Sequence, residues 1–378
     1  MARWDIFCSV VDNYGDIGVT WRLARQLVAE HGQQVRLWVD EPGAFVPLCP
    51  GADSLADRQW QQGVEVCRWG EPWAAVEPAE VVVEAFACRL PAAYEAALGA
   101  CRPLPLWVNL EYLSAEDWVE DCHGLASPQA NGLAKYFWFP GFTARTGGLL
   151  RERELLVRRD AWQADAEGRR AFLAGLGVEW RGERLVSLFA YEQPRLEAWL
   201  ELLAAGEPTL LLVPEGRVLG DVRRWAGEDL ACGALCTRGA LTVRVIPFVS
   251  QDDYDRLLWS CDLNAVRGED SFVRAQWAGR PFIWHIYPQE ESAHLDKLEA
   301  FMARYLATAE PALAQALRDL WRTWNAAPEA DASLAASWAQ LQAQAADWQR
   351  HARSWCAELA SRPDLATGLV LFYTGSLE

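Results

Sequence analysis

Apolar and polar positions follow two rhythms along this chain, and the first forty residues hold both. An apolar run from Ile6 to Val11 leads into a glycine-bearing loop. Beyond the loop, Val19, Leu23, Ala24, Leu27 and Val28 recur at helical spacing, and a second apolar run covers Val35 to Val39. A short continuous apolar run marks a strand buried on both faces, and a three-to-four-residue repeat marks a helix laid against it, so this segment predicts a βαβ unit. Gly32 stands where that helix should stop. The loop therefore joins the C-terminal end of a strand to the start of a helix.

Further apolar runs at Val64-Glu65-Val66, Val81-Val82-Val83 and Leu104 to Val108 alternate with helical segments, which predicts a parallel, doubly wound sheet. From Gly141 to Asp160 the periodicity fades and Gly and Arg gather, as suits a crossing between domains. A second series then begins: Leu185 to Ala190, Thr209 to Val213, Leu241 to Phe248, Leu263 to Val266 and Pro281 to Ile286. Beyond about Glu290 the pattern turns helical and rich in Ala, Leu, Gln and Trp, through to about Ala360. With 378 residues the chain is longer than one core usually supports. The expectation is an α/β protein of two Rossmann-like lobes facing a central cleft, with a helical C-terminal tail. Residues 1–155 form the N-terminal domain, residues 156–361 the C-terminal domain, and a tail of about 362–378 packs back on the first.

Composition narrows what such a protein can do. The formal net charge of −17 and the lack of any basic run argue against nucleic acid and anionic membrane surfaces as partners. No apolar stretch approaches the ~20 residues of a membrane span. Ten scattered cysteines in a large chain, with no signal-peptide pattern at Met1-Ala2-Arg3-Trp4-Asp5, read as free thiols in a reducing cytoplasm. Cys232 and Cys236 lack the second pair or the histidine that a zinc site needs, so no metal is expected. Only two of the 35 basic residues are lysines, Lys135 and Lys297, and neither sits in a phosphate-binding P-loop.

Two segments could carry chemistry. The loop Asp12-Asn13-Tyr14-Gly15-Asp16-Ile17-Gly18 lies where doubly wound sheets bind ligands, and its glycines allow close backbone approach. Its two acids would repel a diphosphate, so an acceptor or a cation suits it better; the plain alternative is that Asp16 caps the next helix. The second segment, Arg267-Gly268-Glu269-Asp270-Ser271, follows a strand and opens a helix whose amides and dipole suit a nucleotide diphosphate, although Asp270 or Ser271 could be an ordinary cap. Ser250 with Asp253 reads as a structural capping box. Phe189, Tyr191 and Phe248 end strands of the second half and could stack on a base. The histidines are dispersed, and neither G-x-S-x-G nor H-E-x-x-H occurs.

The two segments together resemble the EarP family, the protein-arginine rhamnosyltransferases that modify bacterial translation elongation factor P. The likeness extends through Trp21-Arg22-Leu23-Ala24 and Gln276-Trp277-Ala278-Gly279 and covers essentially the whole chain. It implies a GT-B glycosyltransferase fold, dTDP-β-L-rhamnose as donor, an arginine of elongation factor P as acceptor, inversion at the anomeric carbon, and no metal or other cofactor. By the same likeness Asp16 is the catalytic carboxylate, with Asp12 and Glu269 as essential helpers. Tyr14, Gly15, Phe189, Tyr191, Phe248, Gln251, Arg267, Glu269, Asp270, Ser271 and Tyr287 would surround the donor. Two rival readings remain: a transferase with another donor and a small-molecule acceptor, and a non-catalytic protein that binds a translation factor.

Overall fold

The computed structural model describes residues 1–11, 14–70, 73, 75–289, 292–326 and 333–377. It divides into two compact units, Met1–Arg153 with Leu359–Glu378, and Glu154–Glu358. No helix among the described residues is long and apolar enough to cross a membrane.

The first unit is built on eight strands: β1 (Arg3–Cys8), β2 (Gln34–Val39), β3 (Arg58–Gln61), β4 (Val64–Arg68), β5 (Val81–Ala85), β6 (Leu106–Leu110), β7 (Ala126–Pro128) and β8 (Ala134–Trp138). Their order is β3-β4-β2-β1-β5-β6-β8-β7. The six inner strands are parallel, as the buried runs require, but β3 and β7 pair antiparallel at the two edges. The hydrophobic pattern missed β3 because Arg58-Gln59-Trp60-Gln61 is mostly polar. A two-residue turn makes it, in which Gln62 and Gly63 both take positive φ, 50° and 81°, the geometry that matches strand twist in a tight hairpin.

One face of this sheet packs Phe7 flat on Trp38, 5.7 Å between ring centroids, with Tyr94 and Trp107 in the same cluster. Asp5 is buried beside them. Its carboxylate accepts from Nε and Nη2 of Arg36, each at 2.6 Å, from the Trp38 indole at 3.0 Å and from the Tyr94 hydroxyl. The helix Leu365–Gly375 closes the unit. Asp364 caps it by accepting from the Thr367 amide at 3.0 Å, and the same carboxylate accepts from Gln26 Nε2 of the helix Gly15–His31 at 3.0 Å. Phe372 packs on Trp138 and Tyr136.

The second unit holds β9 (Arg184–Leu188), β10 (Thr209–Pro214), β11 (Leu235–Arg238), β12 (Leu241–Ile246), β13 (Leu263–Arg267) and β14 (Phe282–His285), in the order β11-β12-β10-β9-β13-β14. Again the inner strands are parallel and the edge strand β11 is antiparallel. The stretch read as an aperiodic crossing contains the start of a helix, Leu155–Ala164. The Trp-rich region after β14 is helical, and Phe282, Phe301, Tyr305 and Trp321 form its aromatic core. In each unit the strand order reverses beside the first strand, between β1 and β5 and between β9 and β13. Connections leave to opposite faces at such a point, and the C-terminal strand ends there are open to a ligand.

Candidate functional site

In the first unit β1 stops at Cys8, three residues before the apolar run does, and Val11 is 71 % exposed. Asp40, just past β2, is the cause. It accepts from Ser9 Oγ at 2.5 Å and from the Val10 amide at 3.0 Å, which turns the chain out of the sheet. The helix Gly15–His31 then begins with Tyr14 at the cap position. Asp16 lies in its first turn and is 2 % exposed. Its Oδ2 accepts from the Val11 amide at 2.8 Å, so the carboxylate reaches back toward the segment that follows β1. The positive end of the helix dipole favours a carboxylate at this place.

Asp12, expected to assist Asp16, falls outside the described residues. Tyr14 and Gly15, expected near the donor, belong to the first unit; Tyr14 lines an open hollow of about 450 Å³ with Val10, Val11, Glu41, Gly43 and Ala44. Trp21 and Arg22 are scaffold: Trp21 packs edge-on against Phe45, and buried Arg22 lies 3.6 Å from Glu152. Cys8 is buried under the loop, and burial pushes its thiol well above the usual range, so it is no nucleophile. At the end of neighbouring β5, Phe86 and Ala87 take left-handed φ of 59° and 55°, and Phe86 stacks on Tyr112 at 4.5 Å. Left-handed backbone at non-glycine residues costs on the order of 1–3 kcal/mol each and gathers at working sites.

The second unit presents a different surface. Arg267, at the end of β13, lays its guanidinium over the rings of Phe189 (4.4 Å) and Tyr191 (4.7 Å), which follow β9. Gly268 turns the chain with φ 58°; its amide donates to the His285 carbonyl at 3.1 Å, and its carbonyl accepts from the Trp284 indole at 2.9 Å. Glu269 occupies the cap position of the helix Asp270–Ala278, so neither Asp270 nor Ser271 is the cap. The Ser271 hydroxyl closes the turn, accepting from the Arg267 amide at 3.0 Å and donating to the Arg267 carbonyl.

Gln251, at the start of the helix Gln251–Ser260, reaches Asp270 Oδ2 at 3.4 Å. Those two helices are locked further along by the buried pair Asp255 and Arg274, bonded through both guanidinium arms at 2.8 and 2.6 Å. Tyr287 stands edge-on to Tyr191 at 5.4 Å, while Phe248 lies in the loop after β12, three residues ahead of Gln251. Ser250 caps its helix through the Asp253 amide, as the capping-box pattern requires.

Sequence reading missed four members of this second cluster. Arg217 sits over Tyr191 at 5.4 Å and pairs with Glu192 at 2.8 Å; Tyr254 packs edge-on against Phe189 at 5.6 Å; His285 packs edge-on against Tyr191 at 5.4 Å; and Arg274 is the buried partner of Asp255. None belongs to a contiguous motif. Only the rule that strand ends converge could have drawn attention to His285, which closes β14. Among the described residues no three His, Cys, Asp or Glu side chains are grouped to hold a metal ion.

Two Rossmann-like units, each with an open sheet edge, define the GT-B glycosyltransferases. The fold recurs along the whole chain in a glycosyltransferase from Rickettsia africae (10 % identity, TM-score 0.52, covering 100 % of this chain and 98 % of that one). An alpha-glucosyltransferase solved with UDP and DNA matches to the same degree (7 %, TM-score 0.52, 99 % and 98 %). A structure described as the basis for EarP-mediated arginine glycosylation of translation elongation factor EF-P matches far better, at 46 % identity and a TM-score of 0.72 over 100 % of both chains.

The model of the elongation-factor P (EF-P) rhamnosyltransferase EarP family matches residues 4–374, and the chain belongs to that family. Protein-arginine rhamnosyltransferases of Pseudomonas putida (62 % identical over 379 residues, 100 % of each chain) and Pseudomonas aeruginosa (60 % over 376 residues, 99 % of each) are full-length relatives. Membership makes this chain a protein-arginine rhamnosyltransferase.

Proposed function

We propose that the chain transfers rhamnose from dTDP-β-L-rhamnose to one arginine of translation elongation factor P, with inversion at the anomeric carbon. The single observation that carries this reading is the contrast between the two sheet edges: a buried carboxylate at the first helix start of one unit, arginine and stacked aromatics at the corresponding edge of the other.

A free guanidinium has a pKa above 12 and a poor lone pair, so its nitrogen attacks only as a proton leaves. Asp16 is the acceptor of that proton. Held by the Val11 amide, its carboxylate pairs with the guanidinium, and Asp12 steadies the approach. The arginine nitrogen bonds to C1 of the sugar from the face opposite the diphosphate, the C1–O bond breaks, and dTDP leaves with the electron pair. The proton passes from Asp16 to solvent. Arg267 and the amides that open the helix Asp270–Ala278 hold the diphosphate as charge builds on it, Ser271 fixes the donor-side turn that presents them, Glu269 and Asp270 take donor hydroxyls, and Phe189, Tyr191, Phe248, Gln251 and Tyr287 surround the nucleotide.

The test is incubation with elongation factor P and dTDP-β-L-rhamnose, read by intact mass. A gain of about 146 Da on a single arginine, with an α-anomeric proton signal, is the expected modification. A gain with another nucleotide sugar only, or on a small molecule only, would overturn the donor or the acceptor respectively.

A further inference from the structure

His285 stands in the middle of the arginine-bearing edge. It closes β14 in register with Arg267 on β13, and its carbonyl holds the Gly268 amide. Its ring is wedged between Tyr191 at 5.4 Å and Trp324 at 6.5 Å, and the residue is 6 % exposed. Nδ1 is buried with no hydrogen-bond partner among the described residues. A buried ring nitrogen left in that state is destabilising, and core packing alone would have been served by phenylalanine.

We propose that His285 is a positioning residue of the donor subsite, tied to the incoming diphosphate through Tyr191 and Arg267. The charged groups around it come from every neighbouring element: Arg267 from β13, Arg217 from the segment after β10, Glu192 from the segment after β9, and His294 from the helix Ala293–Tyr305. In the free protein, burial and then the Arg267 cation hold the imidazole down to a pKa of about 4, so it is neutral at physiological pH. A diphosphate that pairs with Arg267 cancels the cation that repels a second proton. The imidazole then takes up a proton at a higher pH than in the free protein, although burial still opposes it, and once charged both of its ring nitrogens are donors within an anionic site. Binding and protonation favour each other by the same factor.

The sign follows from linkage. With the pKa raised in the complex, donor affinity rises as pH falls through the complex's value, levels off below the free value of about 4, and is unassisted at high pH. A nucleotide sugar carries no phosphate that titrates in this range, so the slope belongs to the protein.

This inference rests on the donor-site reading above, but concerns any nucleoside diphosphate sugar. The experiment follows the histidine NMR signals of the whole protein from pH 8 to pH 5, with and without dTDP-β-L-rhamnose or a UDP-sugar; His285→Gln identifies the signal by its loss. Calorimetry at pH 6 in two buffers of different ionisation heat counts the protons taken up, and thermal melts report folding. The expected result is an upward move of the His285 titration by about two units on donor binding, and a donor Kd that tightens about fourfold from pH 8 to pH 5.5. Both His285→Gln and His285→Phe should bind donor with a flat pH profile. Variants that melt earlier yet keep the wild-type slope would make the residue structural only and overturn the proposal, as would a His285 titration unmoved by every diphosphate sugar. A move with a UDP-sugar alone keeps His285 in its role and overturns the rhamnose donor instead.

Discussion

The two sheet edges are the same construction put to opposite electrostatic use. Each has its strand reversal beside the first strand, and each follows a strand end with a short loop and a helix start. The first edge carries Asp16, Asp40 and Glu41; the second carries Arg267 and Arg217 against aromatic rings. A helix start is a general anion site, so topology alone would place a phosphate at either edge. Side chains separate them: in the proposed function the first edge's carboxylates suit a cation, and the second edge's guanidinium groups suit a diphosphate while Glu269 and Asp270 beside them take hydroxyls.

The comparison breaks most visibly at Asp16. Asp16→Asn keeps the hydrogen bond to Val11 but cannot take a proton, and transfer should fall by about 10³-fold or more while donor affinity stays within error. Single-turnover rates and calorimetry separate the two, and full activity would remove Asp16 from the chemistry. Next in size is Arg274→Met, which strands the buried Asp255 charge and should cost about 3–5 kcal/mol in urea unfolding; adding Asp255→Leu should recover most of it.

Arg267→Leu should weaken donor binding roughly 10- to 100-fold, the worth of a charge-assisted contact, and leave the first unit's acids unaffected. Asp40→Ala frees Ser9 and the Val10 amide, so about a tenfold loss in kcat with an unchanged donor Kd is expected, through a looser Asp16. Smallest of all, Ser250→Ala removes only a helix cap. A loss of about 1 kcal/mol in stability at undiminished activity would keep Ser250 and Asp253 out of the donor site.

How legible each edge is in the sequence depends on how local its parts are. The helix Gly15–His31 and its glycine stop, the parallel core strands and the helix Asp270–Ala278 with its stop at Gly279 follow from patterns a few residues long. The exit of Val11 from β1 does not, because Asp40 sits 30 residues from Val10 and nothing near either predicts their bond. His285 and Arg217 become neighbours of Tyr191 only through strand order. Phe86 and Ala87 take a left-handed conformation that no glycine announces; the Phe86 amide bonds the Leu110 carbonyl at 2.7 Å, a partner on another strand. Family likeness supplied roles for motif residues, but it named none of these supports.

The bond from Gln26 to Asp364 joins residues 338 positions apart, and between them lies the whole of the second unit. On a ribosome adding about 5–20 residues per second, the helix that carries Asp16 waits on the order of half a minute for its last partner to emerge. The second unit can collapse as a finished body during that interval, while the first remains an unclosed sheet whose terminal helix is still being made. Closure of the first unit thus waits until the second has been synthesised, and a chain stalled before Leu365 would hold a first unit still lacking its closing helix.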